Sequence, residues 1–418
     1  MAKLSIDRIE DLRGKRVFVR VDYNVPMAEV DGNMVINDET RIRATLKTLE
    51  HLVSSGARTI LAAHLGRPKG KPEPSMSLAP VAARLSEILG KKVDFASDCV
   101  GPAAEKAVEN MDDGGVLLLE NLRYHASEEA NDQEFAGQLA RHADVYVNDA
   151  FGAAHRAHAS TAGVAAILKS QGKPCAAGFL MQRELQFLGE ELESPAKPFV
   201  VILGGAKVSD KIKVIDRLLE KADTIIIGGA MAYTFRLALG HKVGKSLVEP
   251  DMTGTALSAL DKAKEKNVQF LLPSDNTIAD VVKTDKLNKK GKPVMEFVNA
   301  RINDSLNIPD EAEGFDIGPK SIERYSEVIK SAKTILWNGP MGMFEDDRFA
   351  KGSYAVSHAV AEATANGAKS IIGGGDSVKA LNNTGLSDKI TFASTGGGAS
   401  LEFLEGKALP GVTALSDI

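Results

Sequence analysis

The chain has 418 residues, 44% of them hydrophobic and 26% charged, and its formal net charge is −5. This composition excludes a mainly disordered or fibrous protein, and the negative charge argues against a nucleic-acid-binding protein that works through a general positive field. With only Cys99 and Cys175, no expected membrane span and no apolar secretory signal, the predicted location is the cytoplasm.

Short apolar runs alternate with segments of helical periodicity along the whole chain. Strands are predicted at residues 16–21, 59–63, 116–119, 145–147, 199–203, 224–227, 269–272, 334–337, 370–372 and 390–393. Helices are predicted at residues 41–54, 79–89, 128–140, 181–193, 211–221, 255–266 and 349–365, and the lysine-rich segment 283–292 is expected to be a solvated loop. Strict alternation favours parallel sheets covered by helices, and about ten strands suit two sheets better than one. The predicted fold class is therefore α/β, with two doubly wound, Rossmann-like parallel-sheet domains joined by a helix and separated by a cleft.

Two prolines indicate the domain boundary. Pro195 and Pro198 follow the predicted helix at 181–193 and precede the apolar strand at 199–203. Proline ends helices because it lacks the backbone N–H and clashes with the preceding turn. We therefore predict a first domain at residues 1–183, a connecting helix and hinge at 184–198, and a second domain at 199–407.

Basic residues stand at the predicted strand ends of the first half. In open α/β sheets, ligands bind at the carboxyl ends of the strands. The loops there span residues 20–26, 64–68, 120–123 and 148–156, and Arg41 follows a polar segment able to cap a helix. Several guanidinium and imidazole groups suit a small molecule with more than one acidic group. The alternative is that each arginine pairs with an acidic residue at the surface. This explains a single arginine well but does not explain the whole set at the strand ends.

Glycines stand at the predicted strand ends of the second half, in loops 203–207, 227–230, 337–345, 373–377 and 394–398. Glycine lets a ligand approach backbone N–H groups at a helix start, an arrangement that favours phosphate. Tight turns alone would explain one or two such loops. Neither a Walker loop nor a G-x-G-x-x-G motif is complete, so the sequence predicts a nucleotide site of a rarer kind. Asp376, directly after three glycines, is suited both to cap a helix and to hold Mg²⁺.

In their order along the chain, these motifs resemble the phosphoglycerate kinase family. Segment 17–26 matches the family signature throughout, and the match continues through 64–68, 120–123, 148–158, 203–211, 337–345, 373–377 and 394–401. The chain departs from the family at Ala230, Met343 and Ser377, where glycine, a smaller aliphatic residue and threonine are more usual. These departures bear on nucleotide affinity rather than on the activity itself.

The resemblance implies reversible, Mg²⁺-dependent transfer of the acyl phosphate of 1,3-bisphosphoglycerate to ADP, giving 3-phosphoglycerate and ATP in glycolysis. Transfer would be direct and in line, after the domains close, and the C-terminal tail at 408–418 would pack on the first domain. The implied substrate-binding residues are Asp22, Asn24, Arg41, His64, Arg67, Arg123 and Arg156. The implied nucleotide-binding residues are Gly205, Ala206, Lys211, Asn338, Glu345, Gly373, Gly374, Gly375, Asp376 and Ser377, with Glu345 at the ribose and Asp376 nearest the Mg²⁺. The predicted catalytic contacts are Arg41, Lys207 and the backbone N–H groups of Gly375 and Gly398.

The expected partners are these small molecules, with no nucleic acid and no membrane, and the chain is expected to be a monomer. Two other functions remain open. One is a two-domain kinase or dehydrogenase that acts on another small phosphorylated acid, and the other is a non-catalytic binding protein of the same fold. Lys207, Asp376 and the glycine loops argue against the binding protein, because a pure binder needs no lysine between two sites.

Overall fold

A buried parallel sheet organises the first part of the chain in the computed structural model, which describes residues 2–287, 291 and 293–418. The strands of this part are β1 (Arg16–Val21), β2 (Met27–Val30), β3 (Asn33–Ile36), β4 (Arg58–Ala62), β5 (Val93–Ala96), β6 (Val116–Leu119), β7 (Val145–Asp149) and β8 (Cys175–Ala177). Six of them form a sheet of order β5-β6-β4-β1-β7-β8, and β2 pairs with β3 as an antiparallel hairpin. Strand β6 is buried at every residue, as expected for a sheet covered on both faces.

A second six-stranded parallel sheet organises the following part. The strands of this part are β9 (Phe199–Leu203), β10 (Thr224–Ile227), β11 (Gln269–Leu271), β12 (Asn276–Leu287), β13 (Pro293–Asn303), β14 (Ala312–Ile317), β15 (Thr334–Asn338), β16 (Lys369–Gly373) and β17 (Phe392–Ala393). The sheet has the order β11-β10-β9-β15-β16-β17. Two parallel sheets within an α/β chain confirm the predicted fold class. All ten predicted strands are present, with end shifts of at most two residues, and the predictions missed β5 and β8 of the first sheet and the hairpin of β2 and β3.

Strands β13, β12 and β14 form an antiparallel sheet that the sequence did not predict. The expected solvated loop at 283–292 is wrong for residues 283–287, which belong to β12, while residues 288–290 and 292 lie outside the described residues. The far end of β12 is exposed, so its residues carry no buried apolar run by which a strand is recognised.

The helices cover the two parallel sheets. They are α1 (Thr40–Ala44), α2 (Leu46–Ser54), α3 (Ala79–Leu89), α4 (Gly101–Glu109), α5 (Ala126–Glu129), α6 (Gln133–Ala140), α7 (Val164–Ser170), α8 (Phe179–Leu185), α9 (Glu191–Glu193), α10 (Ile212–Leu218), α11 (Met231–Ala238), α12 (Thr253–Glu265), α13 (Pro319–Lys330), α14 (Lys351–Ala365), α15 (Gly375–Asn383), α16 (Gly398–Leu404) and α17 (Pro410–Thr413). The single helix predicted at 128–140 is wrong. Asn131 adopts a left-handed φ of 52°, and the Asp132 side chain then caps α6 by accepting from the Phe135 N–H.

The predicted helices at 41–54 and 181–193 are also interrupted. Thr45 separates α1 from α2, and a π-helical segment, Gln186–Glu190, stands between α8 and α9. No helix among the described residues is long and apolar enough to cross a membrane.

The chain forms two compact units. The first contains the residues up to Gln186 together with Gly398–Phe403 and Lys407–Ile418, and the second contains Phe187–Gly397 and Leu404–Gly406. Within the first unit, the Asn148 side chain donates to the Gly411 carbonyl at 3.0 Å, and the Ser416 N–H donates to the Cys175 carbonyl at 2.8 Å. The C-terminal segment therefore packs at the ends of β7 and β8. The hinge at 184–198 and the exact domain boundaries stay predictions.

Candidate active site

His64 lies at the centre of the basic residues of the first unit. It follows β4 and is only 6% exposed, and its Nδ1 accepts a hydrogen bond from Arg20 Nη2 at 2.9 Å. Burial, together with the charges of Arg20, Arg123, Arg156 and Arg41, holds the pKa of His64 well below its ordinary value. The imidazole is therefore neutral, and because Nδ1 accepts, Nε2 carries the proton. His64 thus offers an N–H donor to an anion.

The acidic and amide residues of this predicted site hold their neighbours in place. Asp22 accepts a hydrogen bond from Arg41 Nη1 at 2.8 Å. Asn24 Oδ1 accepts from the Gly66 N–H at 2.9 Å, and Arg123 Nη1 donates to the Gly66 carbonyl at the same distance. Asp22 therefore orients a cation, while Asn24 and Arg123 hold the turn that follows His64.

The remaining two arginines differ in their surroundings. Arg156 is half-buried, donates from Nε to His155 at 3.1 Å, and contributes to the field around His64. Arg67 is exposed and has no side-chain hydrogen bond or ion pair within the described residues. The structure therefore brings Arg41, His64, Arg123 and Arg156 together, and it leaves Arg67 open to solvent.

Arg20 stands in one of the loops indicated by the sequence, but it was not among the predicted substrate-binding residues. It is 1% exposed, and its Nε donates to Ser160 Oγ at 2.9 Å. Ser160 in turn donates to the buried carboxylate of Glu128 from Oγ at 2.6 Å and from its backbone N–H at 2.9 Å. Arg20 is thus a positioning residue for His64, and Ser160 links it to the Glu128 carboxylate. The sequence did contain a sign of this role, because Arg20 is a charged residue inside an apolar strand. A buried arginine needs hydrogen-bond partners within the fold.

A pocket of about 310 Å³ lies in the second unit. It is lined by Gly205, Ala206, Gly229, Ala230, Leu247, Glu313, Gly314, Phe315, Pro340, Gly342, Met343 and Asp376. Three of the predicted nucleotide-binding residues are among them, namely Gly205, Ala206 and Asp376. A side-chain carbon on Gly229 would lie 2.5 Å from the Gly205 nitrogen, so these loops pack too closely for any other residue.

Lys211, Asn338 and Ser377 meet beside the glycine loop that precedes α15. Lys211 Nζ donates to Asn338 Oδ1, and Ser377 Oγ accepts from the Gly339 N–H at 2.5 Å. Burial lowers the pKa of Lys211 to about 8, against the opposing charges of Asp210, Asp376 and Glu405. The Asn338 Nδ2 donor is buried without a partner in the described part of the chain, and it lies 3.2 Å from the position of a side-chain carbon on Gly373. A desolvated lysine and an unsatisfied donor at a helix start are well suited to an anionic ligand.

Gly374 has a left-handed φ of 87° and stands at the N-cap of α15, followed by Gly375 and Asp376. The Asp376 carboxylate is exposed, lines the pocket and makes no hydrogen bond or ion pair to another described residue. A free carboxylate beside a glycine loop at a helix start is the kind of donor that Mg²⁺ prefers, so the residues present fit that ion.

The other predicted residues of the second half lie outside the pocket lining. Lys207 is exposed in the loop between β9 and α10, and its ammonium is unpaired within the described residues. Glu345 is exposed and follows the lining residue Met343 by two positions. Gly398 begins α16 and belongs to the first compact unit, not to the predicted second domain that extends to residue 407. A side-chain carbon on Gly375 or Gly398 would meet open space.

Glu313 is a pocket residue that the sequence did not indicate. It lies in β14, a strand that was not predicted, and a single acidic residue carries no motif of its own. The sequence therefore contains no pattern that marks Glu313, and only the fold, which places β14 beside the glycine loops, shows that it lines the pocket.

The chain matches the family model described as phosphoglycerate kinase over residues 6–407. One curated relative of that name, from Acidobacterium capsulatum, is 55% identical over 423 residues, and the match covers 100% of both chains. Another, from Clostridium novyi, is 53% identical over 419 residues, and the match covers 99% of this chain and 100% of the relative. The solved structure of phosphoglycerate kinase from Coxiella burnetii superposes with a TM-score of 0.82 at 40% identity, covering 99% of this chain and 98% of that one.

Proposed function

The chain belongs to the phosphoglycerate kinase family, and from this premise we propose how its residues carry out the reaction. That reaction is the reversible transfer of the acyl phosphate of 1,3-bisphosphoglycerate to ADP, which yields 3-phosphoglycerate and ATP in glycolysis. The assignment of residues rests on the neutral His64, whose pKa is lowered by the charges of four arginines in the first unit. The glycine-lined pocket of the second unit supplies the complementary site for the nucleotide.

The first unit binds the phosphorylated acid. Arg41, Arg123 and Arg156 supply positive charge, and His64 supplies a neutral N–H donor. Arginine forks bind carboxylate and phosphate bidentately, so the set suits a substrate that carries both groups. Arg67 is a further free guanidinium for this substrate, while Asp22 and Asn24 act through the residues they hold.

The second unit binds ADP or ATP. Gly205 and Ala206 line the pocket, and Lys211, Asn338 and the loop Gly373, Gly374, Gly375 and Ser377 receive the phosphates at the start of α15. Glu345 is proposed as the acceptor for the ribose hydroxyls. The departures Ala230 and Met343 both line the pocket, which supports an effect on nucleotide affinity.

Asp376 is the residue we propose for Mg²⁺. The ion, when bound with the nucleotide, neutralises charge on the phosphate oxygens. Asp376 would hold it through a carboxylate that lines the pocket and makes no hydrogen bond or ion pair to another described residue.

The transfer step depends on placement and charge, because the transition state is loose and its equatorial oxygens carry the charge. Lys207, Arg41 and the N–H groups of Gly375 and Gly398 are proposed to stabilise it. One preorganised donor of this kind is worth about 2.7 to 4 kcal/mol. Since the acid and the nucleotide are assigned to different units, in-line transfer requires closure, for which segment 184–198 is the proposed hinge. X-ray scattering should show a smaller radius of gyration with both substrates bound, and an unchanged radius would refute closure.

We also propose that the protein acts as a cytoplasmic monomer without a nucleic-acid or membrane partner. Cys99 and Cys175 are both buried free thiols, which suits a reducing compartment. Sedimentation analysis tests the monomer directly, since a dimer would move as a species of twice the mass.

A coupled assay tests the proposal as a whole. Incubation with 3-phosphoglycerate, ATP and Mg²⁺ should form 1,3-bisphosphoglycerate, which a coupling dehydrogenase reports as NADH oxidation. Turnover should stop when EDTA removes the metal and return when Mg²⁺ is added back. Absence of turnover with all components present would refute the activity and leave the binding-protein alternative.

A further inference from the structure

Asp98, Cys99 and His125 bring three kinds of metal ligand together at one edge of the first sheet. Asp98 and Cys99 lie between β5 and α4, and His125 lies between β6 and α5. Strands β5 and β6 are parallel neighbours, with Ala96 opposite Leu119, so the loops that follow them leave the sheet at the same edge. A carboxylate and an imidazole 27 positions apart therefore meet beside a thiol.

The ligand atoms of these three side chains all lie within 4.8 Å of one another. In the part of the chain that the structure describes, no other three His, Cys, Asp or Glu side chains converge in this way. A tetrahedral Zn²⁺ site, with bonds of about 2.0 to 2.3 Å, needs ligand atoms about 3.4 to 3.6 Å apart. The distance from His125 Nε2 to Asp98 Oδ1 is shorter, at 2.7 Å, so these two side chains must separate slightly to admit the ion. They are 32% and 44% exposed, which leaves them room to rotate.

The Cys99 thiol forms the inner side of this cluster and is fully buried. Burial, followed by the negative charges of Asp98 and Glu128, holds the pKa of Cys99 well above its ordinary value. Reactive cysteines have the opposite surroundings, with nearby positive charge and partial exposure. A divalent cation would supply the positive charge that favours the thiolate, and its binding would release the thiol proton to solvent. The surroundings of Cys99 therefore suit a metal ligand better than a nucleophile.

The set of donor atoms indicates which class of cation the cluster would bind. Mg²⁺ and Ca²⁺ prefer oxygen ligands, whereas thiolate and imidazole together favour zinc and similar transition metals. Three protein ligands are typical of zinc sites that keep a fourth position open. The exposed parts of Asp98 and His125 place that position on the solvent side of the cluster.

We propose that Asp98, Cys99 and His125 bind Zn²⁺ through a carboxylate oxygen, the thiolate sulfur and an imidazole nitrogen, and leave a fourth position for water. All three residues belong to the first unit, whereas Asp376, the residue proposed for Mg²⁺, belongs to the second. The zinc site is therefore independent of the nucleotide site and of the proposed reaction.

Cobalt(II) provides the test, because a cysteine thiolate bound to it gives a sulfur-to-cobalt charge-transfer absorption in the near ultraviolet. Titration of cobalt(II) into the full chain, reduced and treated with a chelator beforehand, should produce a saturable band of this kind. Zn²⁺ should abolish the band, because the same ligands bind zinc more tightly than cobalt. Excess Mg²⁺ should leave the band unchanged, because magnesium prefers oxygen ligands.

Variants of the three residues assign the band to this cluster. Cys99→Ser should abolish it, and Asp98→Asn and His125→Gln should each weaken cobalt binding by about tenfold or more, at least the loss that removal of an outer-shell partner causes. Cys175→Ser is the matched control and should retain the band. Cys175 is the other buried free thiol, and its Sγ donates to the Ala165 carbonyl at 3.3 Å. Thermal unfolding without metal shows whether each variant is folded, and Asp98→Asn and His125→Gln, at partly exposed positions, keep the test available if Cys99→Ser does not fold.

Three results would overturn the inference. Absence of the charge-transfer band in the wild type would show that neither thiol binds the metal. A band that persists in Cys99→Ser, or that disappears in Cys175→Ser, would assign the metal to the other cysteine. Unchanged cobalt affinity in both Asp98→Asn and His125→Gln would show that a thiolate binds cobalt without the cluster. Each of these results leaves the proposed function intact, because phosphoryl transfer is tested separately by the coupled assay.

Discussion

The buried network in which Ser160 links Arg20 to Glu128 predicts a large loss of stability when Arg20 is removed. In Arg20→Met, Ser160 Oγ and His64 Nδ1 each lose a donor. Burial raises the pKa of the fully buried Glu128, and the variant removes the Arg20 charge that opposes this rise. Removing one charge from a buried charged network is comparable to breaking a buried ion pair, which typically costs about 3 to 5 kcal/mol, because the other charge is left buried without compensation. We expect a loss of that size in the stability of the first unit.

Arg16→Met is the control, because Arg16 lies in the same strand β1 and is also paired with a carboxylate. Its pair with Asp144, at 2.8 Å, is at the surface, with 37% and 33% of the two side chains exposed. Pairs of this kind contribute about 0 to 1 kcal/mol. The two variants therefore compare the loss of a buried charged network with the loss of a surface ion pair.

Hydrogen–deuterium exchange of β1 and β7 amides along a urea gradient measures the stability of the first unit directly. Protection should be lost at much lower urea in Arg20→Met than in Arg16→Met. Adding Glu128→Gln to Arg20→Met should restore part of the loss, since the second change removes the uncompensated charge. Equal losses in the two single variants, or no recovery in the double variant, would refute the reasoning.

Three further predictions concern catalysis and pH. Lys207→Ala should lower kcat at least about a hundredfold with little change in substrate binding, and a nearly normal kcat in the coupled assay would remove Lys207 from the mechanism. Arg156→Ala should chiefly raise the KM for 3-phosphoglycerate, and an unchanged KM and Kd for this ligand would contradict the assignment. Arg58→Ala is the control and should leave that KM unchanged, because Arg58 lies at the end of β4 away from His64 and pairs with Asp113. Burial raises the pKa of Asp149 from 3.8 to about 7, so the native state retains a proton that the unfolded state releases, and the resulting stability is lost as the pH rises through about 7. In thermal unfolding, the advantage of the wild type over Asp149→Asn should shrink from about pH 4 to pH 8, and a constant difference would contradict the buried proton.

Much of the fold was predictable because parallel strands leave a strong local signal. Runs such as Phe199–Leu203 are buried at every residue and therefore read as continuous apolar segments. Strand β8, with only Cys175–Ala177, is too short for such a run, and the exposed end of β12 lacks one. The prediction of helix ends failed where a single residue determines the end, as at Asn131, whose left-handed φ depends on the surrounding packing.

The candidate site was also predictable only in part. Loops after strands, rich in arginine in one half and in glycine in the other, are visible in the sequence because ligand-binding residues follow strand ends. The partner of each side chain is not visible there. Asp22 holds Arg41 across 19 positions, and Arg20 reaches His64 across 44.

The sequence by itself therefore determined the class of fold, the family and the two kinds of anion-binding loop, because these depend on local patterns and their order. Only the tertiary structure decided that Arg20 turns inward to a buried network, that His64 is neutral, and that Glu313 faces the pocket. The physical reason is that burial, charge and hydrogen-bond partners arise between residues distant in the chain. Those contacts set whether a charged side chain binds a ligand or holds another residue in place.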